Sequence, residues 1–302
     1  YICIDYNRME AIKEYVSNKR STLSASSVRT YASILKNLYA KVFGDTEYDM
    51  EKFNNPTSTI KYLGDYPPNR RKTILSALVI ITANKEYRDL MLKDVRDYNK
   101  EINQQEKTPE QEASWVSDGE IKEVYNDLKK NADIIYKKKD MTGNDLQQIQ
   151  NYIIMSVLGS IFIAPRRSKD YVDFKIKNID DKTDNYMKKN KFYFNSYKTF
   201  KTYGEQIVDI PVQLRNIIIK WSKFNPTEHL LFDSNFNKLS AVKLNQRLNK
   251  IFQGKKVGVN QLRHTFLTEK YGDTIKKEEE MKETMEDMGS SASMLKTYVK
   301  KD

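Results

Sequence analysis

Residues 191–211 read KFYFNSYKTFKTYGEQIVDIP, and this stretch decides the fold class. Phe192, Phe194, Ile207, Val208 and Ile210 are strand-forming, and the turn region between them holds Lys198, Lys201 and Gly204, so a β-hairpin is predicted. It is the one clear hairpin in a chain whose other apolar patterns have helical spacing. The expected class is therefore mainly α with a small β-hairpin or sheet, an α+β protein.

Outward from the hairpin, residues 24–44 open with serines able to cap a helix and place Val28, Tyr31, Leu35, Leu38 and Val42 three or four apart. Arg29 and Lys36 fall on the other surface of that helix. A second helix follows Pro67 and Pro68 and carries Arg70, Arg71 and Lys72 ahead of Ile74, Leu75, Leu78 and Ile81; a third uses Met91, Val95, Tyr98 and Ile102. From Gln104 to Ser114 the chain is rich in Gln and Glu, holds a proline and has no apolar periodicity, which reads as an exposed linker. The expected domains are a helical domain at 1–103, the linker at 104–114 and a second domain at 115–302. In the latter, helices are predicted from Ile121, over 146–163, over 214–224, 240–252 and 261–271, and again on the Met281, Met285 and Met288 stripe, which Gly289 ends. A last helix carries Leu295, Tyr298 and Val299.

The length of 302 residues fits about two domains. Fifty-two Lys and Arg against 41 Asp and Glu give a net charge of +11, which points to an acidic partner, and 39% hydrophobic residues supply real cores. The one cysteine, Cys3, excludes an intramolecular disulfide and a Cys-based zinc cluster and suits a reducing compartment. With only His229 and His264, a His-rich metal site is excluded too. The longest apolar run, residues 152–165, falls short of the ~20 residues of a membrane span. No secretory signal opens the chain, and a start at Tyr1 rather than Met leaves room for residues upstream.

No P-loop, dinucleotide fingerprint, nucleophile elbow or paired metal-binding carboxylates occur. The chain instead presents, in order, Ala164-Pro165-Arg166-Arg167-Ser168-Lys169-Asp170, Tyr197-Lys198-Thr199, Asn260-Gln261-Leu262-Arg263-His264-Thr265-Phe266, Met288-Gly289-Ser290-Ser291 and Tyr298. This order resembles the tyrosine recombinase, or phage-type integrase, family over residues 115–302, and the amino-terminal helices are similar to its core-binding domain. The resemblance assigns Arg167 and Arg263 to a phosphate clamp, Lys198 to the hairpin general acid with Lys201 as competitor, and Tyr298 to the nucleophile. Arg167 fits better than Arg166, because Asp170 then falls in register. Asn260 and Ser290 stand where the family usually has His, and His or Trp, and the stretch from Gly289 to Tyr298 is about one residue short.

The chemistry is coherent by itself. Arg offers a planar, permanently charged fork to nonbridging oxygens, a tyrosine oxygen attacks phosphorus to leave a phosphotyrosine, and a Lys protonates the departing 5′ oxygen. No metal or other cofactor is required. Structural explanations stand beside each assignment: surface ion pairs for Arg167 and Arg263, a solvated turn for Lys198, packing against Leu295 for Tyr298. For His264 a buried, backbone-bonded role is the expected one.

The resemblance implies a site-specific recombinase that acts inside a cell on double-stranded DNA, in a prokaryotic cytoplasm or in the nucleus or viral factory of a eukaryotic host. It implies a 3′-phosphotyrosine intermediate, a Holliday junction and a synaptic homotetramer, with monomer or dimer in isolation and no membrane. Arg29, Lys36, Arg70, Arg71, Lys72 and Lys201 are the expected further DNA contacts. A type IB topoisomerase and a DNA-binding protein that has lost catalysis are the alternatives.

Overall fold

The computed structural model describes residues 2–44 and 48–300, with side chains from Asn7 onward, so the Cys3 side chain lies outside the described set. The chain folds as two compact units, residues 1–106 and 107–302. The first is helical: α1 (Ile2–Lys19), α2 (Ala25–Phe43), a 3-10 turn (Met50–Asn54), α3 (Thr57–Leu63), α4 (Pro68–Thr82) and α5 (Lys85–Asn103). Ser24 starts α2 by accepting the Ser27 amide at 3.1 Å, which satisfies one of the donors a helix start leaves open. Val28, Ala32, Leu35, Leu38 and Tyr39 are then buried on one face. Pro68 occupies the first turn of α4, where its missing N–H costs nothing, and Asn84 caps α5 by accepting from Glu86 at 2.8 Å.

One polar interaction ties this unit's core. Arg71 grips the fully buried Asp94 of α5 with two hydrogen bonds, Nε to Oδ2 at 2.8 Å and Nη2 to Oδ1 at 2.7 Å. Its remaining Nη1 points to the carbonyls of Leu63 and Gly64. Arg71 was expected to meet DNA; its guanidinium is instead committed to holding α3, α4 and α5 together.

The second unit runs α6 (Pro109–Ser114), α7 (Asp118–Ile135), α8 (Gly143–Leu158), α9 (Ser168–Val172), β1 (Phe174–Lys175), β2 (Asn185–Lys188), β3 (Lys191–Phe194), α10 (Phe200–Tyr203), β4 (Gln206–Asp209), α11 (Val212–Phe224), α12 (Ala241–Ile251) and α13 (Val259–Asp287). A 3-10 turn (Ala292–Met294) and α14 (Leu295–Tyr298) follow. The expected linker is helical over α6, where Thr108 and Gln111 form a reciprocal capping box, although no residue of it is buried. The long apolar run ends its helix at Leu158 and not at Ile163. A Cβ on Gly159 would stand 2.6 Å from the Met155 carbonyl, and Ser160 takes a left-handed φ of 61°. Within the run, Ile153, Ile154, Met155, Val157 and Leu158 are fully shielded at the centre of the unit.

The β structure is a four-stranded sheet in the order β1-β2-β3-β4, larger than the single hairpin expected. β3 pairs antiparallel with β4, Phe192 opposite Val208, as the hairpin reading requires. β2 pairs antiparallel with β3 and parallel with β1. Phe174, Phe192 and Phe194 pack edge to face beneath it, and Trp221 stacks on Phe232 at 5.9 Å while donating its indole N–H to the Leu230 carbonyl at 2.9 Å. Among the described residues no helix is long and apolar enough to cross a membrane.

Asp94→Ala removes the partner of a largely shielded guanidinium. It should lower stability by about 3 kcal/mol, the scale for breaking a buried ion pair, seen as a reduced urea midpoint in the first transition to unfold. An unchanged midpoint would show that Arg71 finds equal partners elsewhere.

Candidate functional site

The site grows from the short helix α9. Arg167 is its amino-terminal cap residue, half-buried, and its side chain has no ion pair or hydrogen bond among the described residues, whereas its neighbour Arg166 is paired. The Arg166 Nε donates to Asp170 Oδ2 at 2.8 Å, and its guanidinium lies 3.9 Å from the Phe194 ring centroid and 5.3 Å from that of Tyr197. Asp170 is buried, and its Oδ1 has no hydrogen-bond partner among the described residues. Burial pushes the Asp170 carboxyl above the ordinary carboxylate range, against the opposing pull of Arg166, Arg167 and Lys169. Of the two adjacent arginines, one braces α9 against β3 and the other has no such partner among the described residues.

Asn185 joins α9 to the lysine-bearing loop. Fully buried on β2, it donates from Nδ2 to the carbonyls of Asp170, at 3.0 Å, and Ser196, at 2.8 Å. Its Oδ1 accepts the amides of Asn195 at 2.8 Å and Ser196 at 2.7 Å. Lys169 Nζ adds a bond to Ser196 Oγ at 2.9 Å. The loop itself is closed by the Tyr197 hydroxyl donating to the Gly204 carbonyl at 2.7 Å, and Gly204 has a φ of +66° that favours glycine. Lys198 stands on this loop and Lys201 on α10 within it; both are exposed, and neither ammonium has an ion pair or hydrogen bond among the described residues. Asn185 thus ties α9, which Arg167 caps, to the start of the loop that carries Lys198.

The second arginine is fixed through α12, which packs against α9. The cap position of α13 is Gly258, which has no side chain to offer, and Asn245 of α12 supplies the missing acceptor to the Val259 amide at 3.0 Å. A Cβ on Gly258 would come within 3.3 Å of that Asn245 oxygen. In the first turns of α13, Val259, Gln261, Leu262 and Thr265 are buried, and Thr265 donates to the Val116 carbonyl at 2.8 Å. Asn260 is exposed and Arg263 half-buried. His264, expected inside, is exposed, because the buried positions of this turn fall on its neighbours Leu262 and Thr265.

Ser290 and Tyr298 lie elsewhere. The two helical stretches expected at 261–271 and 281–288 are one helix of 29 residues. Gly272 does not interrupt it, since a helical glycine costs only about 1 kcal/mol against alanine and the following run of Lys and Glu consists of good helix formers. From Leu267 to Thr284 no residue is buried. The helix ends where expected: Gly289 takes a φ of +71°, its amide bonds Glu286 at 2.9 Å, and the Ser290 amide bonds Met285 at 2.8 Å, the paired bonds of a Schellman cap. At about 1.5 Å per residue, the 22 residues from Arg263 to Met285 span about 33 Å. Ser290 therefore stands at the opposite end of α13 from Arg263, and Tyr298, 56% exposed on α14, follows it.

The cations expected on the helical unit differ in their freedom. Arg29 is exposed and Lys36 half-buried with a partner. Arg70 is exposed with its guanidinium 4.9 Å from the Tyr66 ring, and Lys72 sits over Tyr98, where desolvation lowers its pKa. Arg71 is occupied as described. Among the described residues no group of three His, Cys, Asp or Glu side chains could hold a metal ion.

No family model, curated protein or solved structure matches the chain. Sequence reasoning missed Asn185 and Asn245. An asparagine beginning a strand-like Asn-Tyr-Met-Lys run, where the residue type is disfavoured, was the available signal for the first. For the second the signal was Gly258, a helix cap with no acceptor of its own.

Arg166→Ala leaves Asp170 buried without its partner and should cost about 3 kcal/mol by thermal or urea unfolding. Arg167→Ala should stay within about 0.5 kcal/mol of wild type. Equal losses would mean that Arg167 also braces the fold. Asn185→Ala strands the Asn195 and Ser196 amides and should cost at least about 2 kcal/mol; a neutral result would show that water replaces it.

Proposed function

We propose that this chain is a tyrosine recombinase: an enzyme that cleaves and rejoins duplex DNA through a 3′-phosphotyrosine, in the manner of a site-specific integrase. The observation that carries the reading is the convergence on α9. The helix that Arg167 caps and the loop that carries the exposed Lys198 are tied to the same buried Asn185, through Asp170 and Ser196, and the Arg167 guanidinium has no partner among the described residues. Arg263 is attached to the same frame through α12 and Asn245. Such a set suits one phosphodiester: two guanidinium forks for the nonbridging oxygens and an ammonium for the leaving oxygen.

The steps follow from these groups. The Tyr298 hydroxyl attacks phosphorus as its proton passes to solvent, the bond to the 5′ oxygen breaks, and Lys198 gives that oxygen a proton. Reversal by another 5′ hydroxyl rejoins the strand. Asn260, beside Arg263 at the start of α13, can donate a hydrogen bond to a nonbridging oxygen but is no base near neutrality, whereas Ser290 stands at the other end of that helix. The net charge of +11 supports association with double-stranded DNA, to which Arg29 and Arg70 of the helical unit would add phosphate contacts. Assembly as a tetramer on two DNA sites, inside a cell, belongs to the same reading.

The absence of both usual histidines and the distance of Tyr298 from Arg263 favour one competitor, a DNA-binding protein without catalysis. A nicked suicide duplex carrying the element's own terminal sequence separates them. Wild type should form a denaturation-resistant adduct, Tyr298→Phe should form none while binding the duplex normally, and Arg167→Ala should slow adduct formation by about 10² to 10³, the scale for losing an oxyanion donor. Binding without any adduct would establish the competitor. With a bridging 5′ sulfur, whose departure hardly needs a proton, Lys198→Ala should recover its rate and Arg263→Ala should not. Recovery by Lys201→Ala alone would move the general acid to that residue.

A further inference from the structure

We infer that the loop carrying Lys198 also holds a base-stacking site, and that the DNA this chain acts on has an unpaired base beside the scissile phosphate, seated on Tyr203. The inference rests on the proposed DNA-cleaving activity and names the form of its substrate. α10 is a single turn, and Phe200 and Tyr203, three residues apart on it, are neighbours on one face. Phe200 is 36% exposed and Tyr203 66%. The Phe200 ring meets Tyr197 edge to face at 5.9 Å, whereas the Tyr203 side chain has no hydrogen bond or ring contact among the described residues. Two large rings on an exposed turn, together with the exposed Lys198 and Lys201, make a surface that is both aromatic and cationic. A nucleotide has the complementary form, a flat π-face joined to an anion.

The loop holds these rings in place before any ligand arrives. Asn185 accepts the Asn195 and Ser196 amides at its start. The Thr199 carbonyl then accepts the amides of Thr202 at 3.0 Å and Tyr203 at 3.2 Å, and the Gly204 amide bonds Phe200 at 2.8 Å. The Tyr197 hydroxyl closes the loop onto the Gly204 carbonyl. A ring set in this way has little freedom left to lose on binding. In a paired duplex, neighbouring pairs cover both faces of each base and only the edges are open in the grooves, so stacked DNA gives Tyr203 no face to meet. A mismatched or single-stranded base does, and it costs least to bring out of the stack. The bond to Thr199 puts Tyr203 one helical turn, about 5.4 Å, beyond the residue next to Lys198. The stacked base therefore belongs to a nucleotide adjoining the bond whose 5′ oxygen Lys198 protonates.

The test gives the full-length chain two suicide duplexes of the same terminal sequence. One is fully paired; the other has two mismatched pairs beside the scissile phosphate, with 2-aminopurine as one of the mismatched bases. Wild type should bind the mismatched duplex about tenfold more tightly by fluorescence anisotropy and quench the 2-aminopurine, since stacking one base on an aromatic ring is worth about 5- to 150-fold in affinity. Tyr203→Ala should bring the ratio of the two affinities to within about twofold of one without moving the unfolding midpoint, because the side chain it removes is exposed. Tyr203→Trp should keep both the ratio and the quenching. Equal wild-type affinities for the two duplexes, or a tenfold ratio that survives Tyr203→Ala, would overturn the stacking site and leave the cleavage reading standing. A ratio that depends on Tyr203 in a protein that forms no adduct on either duplex would overturn the cleavage reading and leave the stacking site standing. Binding to neither duplex would overturn both.

Discussion

Four hydrogen bonds to the side chain of Asn185 set the relation between Arg167 and Lys198. Neither residue sits in regular structure that could position it alone: one caps a five-residue helix, the other lies on a loop after β3. A buried primary amide offers two donors and an acceptor that takes two bonds, and here all four are used on backbone groups of the helix and of the loop. Backbone partners make the tie rigid, since they have no rotamers of their own to lose. Arg166 adds a second strut by pairing with Asp170 and lying on Phe194.

A similar division of labour recurs on the other side of the site. Gly258 leaves the start of α13 uncapped from within, and Asn245 of α12 completes it, so the position of Arg263 depends on a helix that also packs on α9. The consequence for chemistry is asymmetric. The proposed phosphate ligands are built on packed elements, while the proposed nucleophile rides at the end of a helix that has left its core.

Much of this was legible in the sequence. Alternation about the Lys198 turn gave the β3–β4 pair, serine caps and three-to-four spacing gave α2, α7 and α12, and Gly289 gave the end of α13. These signals are local, and local physics decides them. Other features depended on distant residues. β1 and β2 are too short to show a period, and Arg71 beside Arg70 and Lys72 looks like an exposed basic cluster until Asp94, 23 positions later, is seen to hold it. His264 was misjudged because the helix phase at 259–265 is set by contacts with Val116 and Asn245 and not by its own pattern. The length of α13 was missed because Gly272 reads as punctuation, yet in a run of strong helix formers it is only a weak point. The order of the candidate residues along the chain was readable; their distances in space were not.

The most direct measurement is the chemical identity of the protein–DNA linkage. Protein trapped on a nicked duplex, digested with trypsin and nuclease, and sequenced by tandem mass spectrometry should yield the peptide Thr297–Lys300 with a nucleotide bonded through phosphate to the oxygen of Tyr298. A nucleotide on another side chain, or complete recovery of that peptide unmodified from protein bound to its cognate DNA, would contradict the assignment of Tyr298 as the nucleophile.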